Sequence, residues 1–74
     1  MSDGIVKRSV AIAGHQTSVS LEEPFWDELK RIAQERGLSL NALIAEIDAG
    51  RARTNLSSAI RLEILADQKQ RAIS

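Results

Sequence analysis

Cysteine is absent from the 74 residues, which removes disulfides, thiolate metal sites and cysteine nucleophiles in one step. The single histidine, His15, leaves a structural metal without enough ligands. Neither sign of charge dominates: ten basic residues balance ten acidic ones, so the chain as a whole exerts no pull on phosphate. Long apolar runs are missing as well. No stretch approaches the ~20 apolar residues that a membrane span needs, and the N-terminal MSDGIVKRSV lacks the apolar core of an export signal. A cytoplasmic protein is the expectation. Serine, histidine and aspartate occur, but at no spacing that joins a nucleophile to a base and an orienting group, so neither catalysis nor a cofactor is expected.

What is present is ordered and short. At this length a chain buries roughly 60% of its unfolded surface, which is marginal for a monomer without a staple. Gln16, Ser18 and Ser20 alternate with Thr17, Val19 and Leu21, the pattern of a strand with one polar and one apolar face. A lone strand leaves backbone groups and an apolar face unpaired, and nothing later in the chain offers a matching strand. The simplest completion is the same strand from a second copy. Upstream, Val10 and Ile12 also alternate, but on even numbers, so one uninterrupted strand would place them on the polar face. Gly14 sits where a bulge or a turn must resolve that conflict. The segment from Arg8 to Ala13 reads as a separate extended piece, an arm or an extra strand, whose pairing stays open.

Three helices follow. The first is predicted over 22–36, with Pro24 in its opening turn, Ser20 and Glu23 at capping-box spacing, and an apolar stripe of Phe25, Trp26, Leu29, Ile32 and Ala33. Trp26 reads as a core residue. Gly37 is the expected stop. Ser39 caps a second helix over 39–49, whose stripe is Leu40, Leu43, Ile44 and Ile47. After the basic loop GRART, with Arg51 and Arg53, Asn55 caps a third helix over 55–70. Its apolar positions, Leu56, Ala59, Ile60, Leu62, Ile64, Leu65 and Ala66, cover more than one stripe, which suggests contact with both its own chain and a partner. The whole, 1–74, reads as one domain: an N-terminal arm or extra strand over 1–14, a ribbon strand over 15–21, and the helices.

The stretch TSVSLEE, a helix of about four turns, and then RGLSLNALI together resemble the ribbon-helix-helix DNA-binding fold of the Arc and MetJ class, from Gln16 to about Ala49. The extended N-terminal segment, with GHQTSVSLE and NLSSAIRL, further resembles a subgroup of small bacterial members. The resemblance implies a mainly α fold with a short β-ribbon: an intertwined homodimer whose antiparallel ribbon has one strand from each chain, plus the additional C-terminal helix. It also implies a DNA-binding regulator, commonly a repressor, that inserts the ribbon into the major groove of double-stranded DNA.

Carried over residue by residue, the base-contacting positions are Gln16, Ser18 and Ser20. Glutamine can pair with adenine N6 and N7, and serine can donate or accept. Many relatives place arginine or lysine at such positions; none of these three is basic. Phosphate contacts fall to the start of the second helix, Ser39, Leu40 and Asn41, where free N–H groups and the helix dipole favour an anion. Lys7 and Arg8 form a candidate arm along the DNA backbone. Two other readings stay open. An antitoxin-like chain would use the C-terminal helix to hold a protein partner, and an adaptor would keep the dimer with weak or no DNA binding.

Overall fold

The computed structural model describes residues 4–50 and 55–73. Two strands, β1 (Ile5–Ile12) and β2 (His15–Glu22), form an antiparallel hairpin, followed by α1 (Glu23–Arg36), α2 (Leu40–Gly50) and α3 (Leu56–Ile73). Arg51 and Arg53 lie outside the described residues.

Within the chain the ribbon strand pairs with β1, the extended segment whose pairing the sequence left open. The reason lies in a two-residue turn. Ala13 and Gly14 both take positive φ, 52° and 82°, which is the type I′ geometry whose twist matches that of the flanking strands. Each residue of β1 opposes the residue of β2 that brings their numbers to a sum of 27, from Ile12 opposite His15 to Ile5 opposite Glu22. An odd sum exchanges parity across the turn. The even-numbered Val10 and Ile12 therefore share a face with the odd-numbered Val19 and Leu21, and the conflict in the sequence pattern disappears. The hairpin continues to the start of α1, where the Glu23 N–H donates to Gly4 O at 2.8 Å.

That continuation moves the helix start. The N-cap of α1 is Glu22, with extended backbone and no side-chain capping bond, so the expected Ser20–Glu23 capping box does not form. The other end follows the sequence signals. Gly37 is left-handed (φ 71°), and the Leu38 N–H reaches back to Ala33 O at 2.8 Å, closing the helix. Ser39 Oγ accepts from the Ala42 N–H at 3.0 Å, and Asn55 Oδ1 from the Ser58 N–H at 2.8 Å, so both later helices begin on side-chain caps. The third helix runs beyond Gln70 to Ile73.

All three helices pack behind the apolar face of the hairpin. Val10, Ile12, Val19 and Leu21 meet Trp26, Leu29 and Ile32 of α1, Leu43, Ile44 and Ile47 of α2, and Leu56, Ile60 and Ile64 of α3 in one buried cluster. Trp26 ties α1 to β1: it is 1% exposed, and its indole N–H donates to Val6 O at 2.9 Å. One side of α3, Leu56, Ile60 and Ile64, fills the core, while Leu62 and Leu65 on its other side stay exposed. No buried side-chain polar atom lacks a partner among the described residues.

Candidate nucleic-acid interface

The face of the hairpin turned away from the helices carries Lys7 opposite Ser20, Ser9 opposite Ser18 and Ala11 opposite Gln16. Gln16, Ser18, Lys7, Ser9 and Ala11 are exposed, while Ser20 is half-buried. In an antiparallel ladder the pairs alternate between hydrogen-bonded and non-hydrogen-bonded. The bond from Glu23 N–H to Gly4 O assigns the even positions of β1 to the bonded set. The outward pairs are then the closer ones, with Cα atoms about 4.5 Å apart and side chains projecting side by side. From Gln16 to Ser20 the strand advances about 13 Å, and a two-stranded ribbon fits a major groove about 12 Å wide.

The three base-contacting candidates on β2 thus share one face, and β1 adds Lys7 and Ser9 beside them. Lys7 lies in a strand and not in a free arm. Arg8, its neighbour, belongs to the opposite parity: its guanidinium carbon lies over the Trp26 ring, 5.4 Å from the centroid, at the margin of the hairpin. The two cations are therefore separated by the pleat. Ser9 carries no sequence signal by itself; only the register places it opposite Ser18.

Charge is distributed so that the neutral total misleads. Arg61 binds Glu22 Oε1 through Nε (3.1 Å) and Nη2 (2.8 Å), matching the one acid at the end of the outward face. Arg31 bridges Glu28 (2.7 Å), Glu35 (3.0 Å) and Asp67 (3.1 Å), Arg71 pairs with Asp67 and Glu35, and Arg36 with Glu63. The hydrogen bond from Arg31 holds the Asp67 carboxyl below its usual range, and that from Arg71 does the same for Glu35. Four arginines are thereby committed to carboxylates. Lys7 and Arg8 on β1 make no ion pair with a described residue.

At the start of α2, the Ser39 hydroxyl is occupied by the Ala42 N–H, Asn41 is exposed and Leu40 is half-buried. His15 sits exposed beside the turn. Among the described residues no cluster of His, Cys, Asp and Glu could hold a metal ion, and no helix is long and apolar enough to cross a membrane.

The hairpin and the helices behind it agree with a family model: the description "Ribbon-helix-helix domain" matches residues 5–67, from the start of β1 well into α3. The chain belongs to the ribbon-helix-helix domain family. Ribbon-helix-helix domains are a regulatory DNA-binding fold rather than an enzyme family, and their members are typically DNA-binding regulators or antitoxins that usually bind DNA as dimers. A solved structure with the same fold is that of an uncharacterized protein from Bordetella pertussis Tohama I, 34% identical, with a TM-score of 0.78 over 92% of this chain. This ribbon-helix-helix chain spans 58% of that protein's length. Nothing among the curated proteins matches.

Proposed function

We propose that this chain is a sequence-specific DNA-binding regulator, acting in the cytoplasm as a repressor, that presents the outward face of its hairpin to the major groove. The observation that carries the reading is the face itself: Gln16, Ser18 and Ser20 of β2 aligned with Lys7 and Ser9 of β1, all polar and, Ser20 apart, exposed. In this reading Gln16 addresses adenine, the serines supply adaptable donors and acceptors, and Lys7 meets a phosphate or a guanine edge. Backbone N–H groups of Leu40 and Asn41, with Ser39 as their cap, anchor a flanking phosphate. Arg8 contributes charge from the hairpin margin.

The docking of α3 favours this reading over the antitoxin-like one. Leu56, Ile60 and Ile64 are built into the chain's own core, and Ser57 Oγ donates to Ser20 O at 3.1 Å, so the helix is not a tail awaiting a partner. The test is binding of the purified protein to its own upstream DNA and to a scrambled duplex across a salt series. With Lys7 and Arg8 as the contributing cations, a dimer has four such charges, and the slope of log K against log salt is about −4. Preference for the upstream duplex with that slope supports the proposal; equal or absent binding at low salt refutes it.

A further inference from the structure

The outward face of the hairpin does not end at Ser20. Alternation along β2 puts Glu22 on the same side as Gln16, Ser18 and Ser20, and the register sets it opposite Ile5. Lys7, the one cation of that face, opposes Ser20, which makes Glu22 its diagonal neighbour. Diagonal neighbours on a sheet lie about 7–8 Å apart, within reach of a lysine and a glutamate. A carboxylate at this place works against an anion site in two ways. It repels phosphate, and it attracts the Lys7 ammonium along the strand into an ion pair.

That ion pair does not form, and α3 holds the reason. Arg61 Nε and Nη2 both donate to Glu22 Oε1, at 3.1 and 2.8 Å, and the guanidinium lies over the Phe25 ring, 5.7 Å from its centroid. One turn earlier, Ser57 Oγ donates to Ser20 O at 3.1 Å. Positions 57 and 61 stand one above the other on a helix, so one stripe of α3 touches the two last even positions of β2. Leu56, Ile60 and Ile64 fix that stripe in place by filling the core. The planar fork of arginine, stacked on an aromatic ring, is pre-organised for a carboxylate in a way a lysine is not.

We propose that Arg61 is a positioning residue for the outward face: it holds the Glu22 carboxylate away from Lys7 and so leaves the Lys7 ammonium open to an anion. That the anion is a DNA phosphate or base edge rests on the DNA-binding reading; the choice of partner made by Glu22 does not. The third helix thereby serves the hairpin by charge as well as by packing.

Acetylation of the full chain, with the rate at Lys7 followed by mass spectrometry, tests this without DNA. An amine held beside a carboxylate stays protonated and reacts more slowly. Arg61→Gln is expected to slow Lys7 by about threefold or more, with Lys30 and Lys69 as internal references, and Glu22→Gln added to it restores the wild-type rate. Titration of the upstream duplex gives the functional readout. With Lys7 tied up in both chains of a dimer, the slope of log K against log salt falls from about −4 to about −2 in Arg61→Gln, and the added Glu22→Gln recovers it. A merely structural contact would show no such recovery. The Arg61–Glu22 pair is partly exposed, so the cooperative melt is expected to survive; Arg61→Met, which keeps the aliphatic stem against Phe25, repeats both assays should Arg61→Gln fold poorly. An unchanged Lys7 rate in a folded variant, or a loss that Glu22→Gln does not reverse, overturns the inference. A wild type that binds neither duplex while Lys7 labelling responds as described refutes the DNA-binding reading alone.

Discussion

Ala13 is the residue at which the hairpin is most open to challenge. It sits at φ 52°, a region that costs an L-residue with a Cβ about 1–2 kcal/mol. Asparagine is tolerated there because its short polar side chain bonds locally, and Asn-Gly is the preferred pair for a type I′ turn. Ala13→Asn should therefore recover most of the strain, about 1 kcal/mol. Ala13→Gly relieves the same strain but releases more backbone entropy on unfolding, about 0.5–1 kcal/mol, so its gain is near zero. Ala13→Val adds a β-branched side chain where φ is positive and should lose stability. For a domain of this size 1 kcal/mol moves Tm by roughly 4–8 °C. Thermal melts followed by circular dichroism at several protein concentrations give the order Asn above Gly, Gly close to wild type, and Val lowest. If Val were the most stable and Asn the least, the Ala13–Gly14 peptide would be extended and the ribbon would run straight through it into another chain, which refutes the hairpin.

Val19 is 1% exposed at the centre of the hairpin's apolar face; Val19→Asp should unfold the chain at about 4 kcal/mol or more, seen as loss of the cooperative melt. Gln16→Ala should leave Tm within about 1 °C while costing roughly 1–3 kcal/mol of discrimination between the upstream and scrambled duplexes; unchanged preference in a binding titration removes Gln16 from the reading face. The carboxyls of Asp67, Glu35 and Glu28 are held below their ordinary values of 3.8 and 4.5 by arginine hydrogen bonds. A depressed folded-state value means that the stabilisation is fully present above those values and is lost as pH falls below them. Acid titration should therefore loosen α3 from α1 below about pH 4, and Asp67→Asn should flatten that response in amide exchange of α3.

The parts of the fold readable in the sequence are those governed by chemistry within a few residues. Ser39, Asn55 and Gly37 act on N–H and C=O groups one turn away, and the structure uses all three. The alternation from Gln16 to Leu21 likewise separates the faces of β2 without knowledge of its neighbour. Pairing was less legible. Ala13 does not favour positive φ, so the Ala-Gly pair does not announce a turn, and only the parity clash between Val10–Ile12 and Val19–Leu21 hints at one. Ser20 resembles a cap in isolation, yet the ladder bond to Gly4 O carries the strand on to Glu22. The same gap limits the candidate site. Its β2 half follows from alternation, whereas the places of Ser9 and Lys7 follow only from a register summing to 27, and Arg8 leaves the face for the Trp26 ring.

The hairpin also governs how the molecule comes into being. Its pairs close progressively from residues three apart, Ile12 and His15, to residues seventeen apart, Ile5 and Glu22. Each closure is a short loop with a small entropic cost, and folds dominated by such local contacts form fast. A ribbon assembled from two chains must wait for an encounter, so its formation slows on dilution. Here the strand pairing lies within one chain and closes without an encounter. The rate of hairpin closure is therefore expected to be independent of protein concentration, and refolding followed over a dilution series checks it.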